Sequence, residues 1–178
     1  MPPPIDIVVR SLSCRSTRGQ LTLGSLQFPC ALGRTGRLHR KAEGDGGSPV
    51  GAWQLRAVFY RADQARRPHI GTRGITIRPI RPDDGWCDAR GDRNYNRAVK
   101  RPYPASNETL WREDRLYDLI VVLDHNERPR KQGGGSAIFM HVARAGYTPT
   151  EGCVALSVDH LRRVLAALRR GSRLRIAA

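Results

Sequence analysis

Short runs with a two-residue apolar period alternate along the chain with stretches of glycine, proline and charge; one segment alone keeps a helical period. Ile5 to Val9 predicts a strand, and Gln20 to Leu23 with Ser25 to Leu32 predict a hairpin turning at Gly24. Between Ala52 and Tyr60, Trp53, Leu55, Ala57 and Phe59 share one parity and Gln54 and Arg56 the other, the pattern of a half-buried strand. Gly74 to Ile80 predicts another. Tyr117 to Leu123 is almost continuously apolar, as a strand buried on both faces would be. Ser136 to Val142 should pair near it, and Ser172 to Ile176 gives a last strand. The helix starts at Ser157, an N-cap residue, with Asp159 in its first turn. Leu161, Val164, Leu165 and Leu168 form its apolar face and Gly171 its stop, while Arg162, Arg163, Arg169 and Arg170 read as its solvated face. The sum is a mainly β fold: an open mixed β-sheet sandwich of about seven strands with one C-terminal helix.

Two stretches break the pattern. From Arg81 to Asn107 periodicity fails, and Pro82, Pro102 and Pro104 are interspersed with Trp86, Asp88, Tyr95 and Asn96. So long a stretch inside a compact domain is usually a lid, a binding loop or disorder, and its aromatics argue against disorder. It is read as a cap over about 81–110. Lys41 to Gly51 is turn-rich, with Glu43, Asp45 and Ser48 among glycines, and lacks the Gly-Lys-Ser/Thr ending of a phosphate cradle. At 178 residues, without repeats or a flexible linker, the chain reads as a single domain, 1–178.

Charge narrows the partners. The net charge of +15 favours an anionic one: nucleic acid, an acidic membrane surface or an anionic polymer. Only three of the 31 basic residues are lysine, so the arginine bias is discounted as a binding signal. No RNP-type aromatic motif, zinc-finger spacing or base-reading basic helix occurs, and nucleic acid is not an expected partner. No run of about 18 apolar residues exists, so no stable membrane insertion is expected. Met1 to Arg10 lacks the basic and long apolar regions of a signal peptide. The four cysteines, Cys14, Cys30, Cys87 and Cys153, contain no C-x-x-C spacing for zinc. Cys14 and Cys30 either pair across adjacent strands or stay as buried free thiols, the preferred reading.

The densest chemistry lies between Gly133 and Ser157. His141 falls on the predicted strand, and a loop brings back Gly152-Cys153 twelve residues later. A thiol attacks carbonyl carbon as thiolate, so it needs a base and donors for the developing oxyanion. Gly152 leaves room for backbone N–H groups to approach a reacting carbonyl. His125, at the end of the Tyr117 to Leu123 run, is the competing base, with a plain turn histidine as its alternative. Papain-like and NlpC/P60-type peptidases place Cys before His. Here only His160, on the helix, follows Cys153, and the order argues against them.

This segment, with Lys41 to Gly51, Asp83 to Asp88, Leu110-Trp-Arg112 and Tyr117 to Asn126, resembles the L,D-transpeptidase (YkuD-like) family over roughly residues 20 to 176. Many members read Ser-His-Gly-Cys followed by Arg; this chain reads Thr150-Glu151-Gly152-Cys153-Val154-Ala155. The resemblance implies a cysteine acyltransferase, with Cys153 as nucleophile, His141 as base and backbone N–H groups of Cys153 and Gly152 as oxyanion donors. It implies no cofactor or metal. A backbone carbonyl between Gly133 and Ser136, or Glu151, would orient His141; Glu151 would otherwise hold an acceptor amine or stand exposed. Trp86, Tyr95 and Asn96 are expected to hang over Cys153 and bind substrate. Partners would be donor and acceptor peptidoglycan stem peptides, acted on by a monomer in the periplasm or cell envelope. A carbapenem should acylate Cys153. The alternatives are an L,D-carboxypeptidase acting on the same substrate and a non-catalytic basic module binding an anionic polymer.

Overall fold

A computed structural model describes residues 6–178; Ile5, where the first predicted strand begins, lies outside them. The fold is mainly β. In chain order the strands are β1 (Ile7–Arg10), β2 (Arg18–Leu23), β3 (Leu26–Ala31), β4 (Arg37–Leu38), β5 (Ser48–Pro49), β6 (Gly51–Tyr60) and β7 (Thr76–Pro79). There follow β8 (Asp84–Cys87), β9 (Arg97–Lys100), β10 (Asn107–Thr109), β11 (Leu119–Leu123), β12 (Phe139–Val142) and β13 (Val154–Leu156). The helix α1 (Val158–Ala167) and β14 (Arg173–Ile176) complete the chain.

Nine strands form one sheet in the order β11-β12-β13-β3-β2-β1-β14-β6-β7. It is not open as expected: β11 also pairs antiparallel with β6, so eight strands close into a ring and β7 is appended to β6. The strand count is about double the expectation, because short polar strands carry too little period to read. The predicted hairpin is β2–β3, paired Leu23 to Leu26 across Gly24-Ser25, with Gly24 at φ 59. No L side chain adopts that angle as cheaply as glycine.

Every ring strand sends side chains to one inner core, and α1 completes it with Leu161, Val164 and Leu165. Ser157 caps α1 by accepting from the His160 N–H at 3.3 Å. The helix stops at Leu168, earlier than the predicted Gly171, so Arg169 and Arg170 lie beyond it. No helix among the described residues is long and apolar enough to cross a membrane.

A second core lies on the opposite face of β11 and β12. Leu119, Val121 and Leu123 point inward, while Ile120 and Val122 join Phe59, Trp86, Leu110, Tyr117, Phe139 and Cys153 outside. The two-faced burial expected of this strand is therefore met. The one-face reading of β6 is not: Val122 pairs with Ala57 and Leu123 with Leu55, leaving Arg56 as an extra residue. That bulge reverses the parity, so Leu55 and Val58 face inward while Phe59 faces the outer core.

The expected cap covers this outer core, but it is not structureless. β10, β8 and β9 form a three-stranded antiparallel sheet. The buried Asp84 anchors it, its Oδ2 accepting from Arg78 Nη1 at 2.6 Å and Arg81 N–H at 2.8 Å, and Oδ1 from Lys100 Nζ at 2.9 Å.

Candidate active site

Parallel pairing of β12 with β13 sets Met140 beside Val154 and His141 beside Ala155. Cys153, one residue before β13, thus comes level with Phe139 and turns with it and His141 toward the cap. The Phe139 N–H reaches Cys153 Sγ at 3.4 Å, and the thiol donates to the Ala137 carbonyl at 3.3 Å. Ala137 is itself held at φ 52, a left-handed conformation rare for a residue with a Cβ.

Gly152 has φ 127, and a Cβ there would stand 2.8 Å from the Gly47 carbonyl and 3.3 Å from Ile138 Cδ1. Glycine is required on both counts. Its N–H donates to Thr150 Oγ1 at 3.2 Å, and that hydroxyl donates to the Cys153 carbonyl at 2.7 Å. The Gly152 N–H, expected to face an oxyanion, is thus engaged by Thr150 in this structure, whereas the Cys153 N–H has no partner among the described residues.

His141 Nδ1 lies 2.8 Å from the Val142 carbonyl. A carbonyl only accepts, so Nδ1 carries the proton and Nε2 keeps its lone pair. Neither a carbonyl from Gly133 to Ser136 nor Glu151 orients this ring. Glu151 is exposed and paired with Arg34 Nε at 2.9 Å. The Gly134 carbonyl instead contacts His125 Nε2 at 3.1 Å, and the His125 ring is turned edge-on to Trp53, 4.8 Å away.

Cys153 and His141 line one cavity of about 460 Å³; His125 does not. Burial pushes the Cys153 thiol up to about 12 and the His141 imidazole down to about 4. The pair therefore rests neutral. Lys41, Arg112 and Arg144 also border the cavity, as do Glu43, Asp88, Glu108 and Glu151. Lys41 is ion-paired with Asp45 from the glycine-rich loop; Arg112 bonds Asp114 through Nε at 2.9 Å, its guanidinium 5.1 Å from the Tyr117 ring centroid.

Trp86, Tyr95 and Asn96 do not line the cavity. All three are buried behind its wall, tying the cap to the ring. The Trp86 ring meets Phe139 edge-to-face at 5.1 Å, and its Nε1 donates to Asn96 Oδ1 at 3.0 Å. Asn96 Oδ1 also accepts from the Ala137 N–H at 3.1 Å, and its Nδ2 donates to the carbonyls of His125 and Asn126 at 3.0 and 3.1 Å. Tyr95 donates to Glu43 and accepts from the Gly135 N–H at 3.1 Å.

The sequence reading missed Glu108, Tyr117 and Val142. Tyr117 donates to Glu108 Oε1 at 2.6 Å and lies edge-on to His141, centroids 5.5 Å apart. Its place beside Arg112 in the matching segments was the one available signal. The cysteines are all free; Cys30 and Cys87 are buried, but Cys14 is exposed rather than buried.

The outer face of a mainly β ring thus brings a cysteine and a tautomerically fixed histidine into one cavity. The chain belongs to the YkuD family, the L,D-transpeptidase catalytic domain, whose model matches residues 14–176. No curated protein and no solved structure matches it.

Proposed function

We propose that the protein is a cysteine acyltransferase acting on peptidoglycan stem peptides, with Cys153 as nucleophile and His141 as base. The observation that carries this reading is the shared cavity of the two side chains, with His141 Nδ1 committed to the Val142 carbonyl. Nε2 then takes the thiol proton as sulfur attacks the donor carbonyl next to a D-configured centre, and returns it to the leaving D-residue. The Cys153 N–H faces the oxyanion; one such donor is typically worth about 2.7–4 kcal/mol. The Phe139 N–H, already on the sulfur, steadies the thiolate when it leaves again. Trp86, Tyr95 and Asn96 position the wall instead of touching substrate. A substrate of this class assigns the protein to the cell envelope.

The test is a stem tetrapeptide incubated with the purified protein and with Cys153→Ala. The expected result is an acyl adduct on Cys153 and release of the terminal D-residue, both absent from the variant while its melting temperature is retained. A carbapenem should add its mass to the same residue. Turnover in Cys153→Ala ends the reading.

A further inference from the structure

The chemistry above gives the cavity residue Glu108 no task. Glu108, the middle residue of β10 and the register partner of Trp86, borders the same space as Cys153 and His141. Both its contacts fall on Oε1: the Tyr117 hydroxyl at 2.6 Å and Arg112 Nη1 at 3.6 Å. Oε2 has no protein partner among the described residues, and Arg112, the nearest cation, is drawn off by its bond to Asp114. On the same wall Asp88 has a buried Oδ1 that is also without a protein partner. The Glu108 side chain is 28% exposed, so its free oxygen is open to whatever enters the cavity, and a charged donor is the preferred partner for it.

An acyltransferase brings such a donor. Its acceptor amine arrives as ammonium, which is no nucleophile until it loses a proton. We propose that Glu108 is a catalytic residue that binds the acceptor ammonium through Oε2 and takes its first proton, which selects amines over water. The proposal rests on the acyltransferase reading and concerns its second half. The ammonium passes one proton to Glu108, giving a neutral amine and a neutral carboxyl. The amine nitrogen attacks the thioester carbonyl, forming the C–N bond, and its second proton passes to His141 Nε2. The C–S bond breaks, and the thiolate recovers that proton from His141. Glu108 finally releases its own proton to solvent. Tyr117 fixes the carboxylate from the side that also packs on His141, so the acceptor and the base keep one frame of reference. Burial raises the Glu108 pKa above its ordinary 4.5, which makes its carboxylate a better proton acceptor than an exposed one.

The experiment uses the full chain, a stem tetrapeptide as donor and two acceptors at neutral pH: Nα-acetyl-lysine amide, which is an ammonium there, and hydroxylamine, which is largely neutral. The quantity read is the partition of the acyl-enzyme between the acceptor product and the hydrolysed acid; it does not depend on how fast the acyl-enzyme forms. In Glu108→Gln, partition to acetyl-lysine amide should fall about a hundredfold while partition to hydroxylamine stays near wild type; Glu108→Asp should restore part of it. A purely structural role for Glu108 would move both acceptors together, and that result overturns the proposal, as does an unchanged lysine partition. If Glu108→Gln does not fold, Tyr117→Phe decides: it keeps the ring on His141 and removes the hydrogen bond, so the same selective loss is expected in smaller degree, and its absence overturns the proposal. A wild-type protein that forms the adduct but yields acid alone overturns the proposal and leaves Cys153 as nucleophile. Failure to form any adduct removes the acyltransferase reading itself, and the proposal with it.

Discussion

The two faces of β11 and β12 share one backbone and differ in almost everything else. Inward, Leu119, Val121, Leu123 and Met140 meet α1 and the other ring strands in a core built of apolar side chains. Outward, Phe139, His141 and the neighbouring Cys153 meet a cap held down by directional bonds: Asn96 to four partners, Tyr95 to Glu43 and Gly135, Asp84 to Arg78, Arg81 and Lys100. Apolar packing tolerates small shifts and is paid in area, whereas hydrogen bonds fix atoms to within tenths of an ångström. The inner face gives the ring its stability. The outer face gives Cys153, Ala137 and His141 their positions.

That division fails if an outer change costs only stability or an inner one alters the chemistry. The largest effect is expected at His141→Gln, which should lower acyl transfer by about 10²–10⁴-fold in a protein that still melts cooperatively; kinetics beside a melting curve decides it. Leu165→Ala, on the inner side, should cost about 2–5 kcal/mol in denaturant unfolding and leave the product ratio of the folded fraction unchanged. Asn96→Ala should cost about 1–3 kcal/mol, because Trp86 Nε1 and the Ala137 N–H lose their acceptor. It should also slow acylation, since the Ala137 carbonyl is what the Cys153 thiol leans on. An Asn96→Ala protein with normal acylation would reduce the cap to a stabilising cover.

The smallest effect is a pH slope. Burial lowers both His125 and His141 from 6.5 to about 4, so the unfolded chain binds protons at these sites that the folded one refuses. Their contribution to stability is full above 6.5 and is lost as pH falls toward about 4, so melting temperature should drop on acidification across that window. His125→Gln should flatten the slope without touching catalysis, while His141→Gln flattens it and removes activity.

What the chain disclosed about itself follows the same division. The helix, the β2–β3 hairpin and the two-faced β11 were legible because local period and turn chemistry determine them. Closure of the ring was not, since pairing β6 with β11 joins segments about sixty residues apart and leaves no local mark. The Arg56 bulge was hidden for a related reason: the extra residue exists only relative to the partner strand. In the cap, β8 reads Asp-Gly-Trp-Cys and β10 Asn-Glu-Thr, residues that suggest turns or nothing at all. At the site, Cys153, Gly152 and His141 stood out by residue type and order. Glu108 did not, because a lone glutamate among polar neighbours acquires meaning only from the Tyr117 hydroxyl and the cavity it borders. Trp86, Tyr95 and Asn96 were rightly placed in the cap but assigned to its open side, a distinction that composition does not carry.

Closure of the ring also bears on how the chain behaves in company. A strand at the margin of a sheet offers unpaired N–H and C=O groups to any other chain that passes, and is where aggregates begin. Among the described residues, the β6–β11 pairing leaves the nine-stranded sheet with β7 as its one marginal strand, and β7 is four residues long. It carries Arg78, an arginine tied to Asp84, and it ends on Pro79, which has no N–H to give. Concentrated protein should therefore resist sheet-to-sheet association, and replacing Arg78 and Pro79 with apolar, N–H-bearing residues should be enough to provoke it.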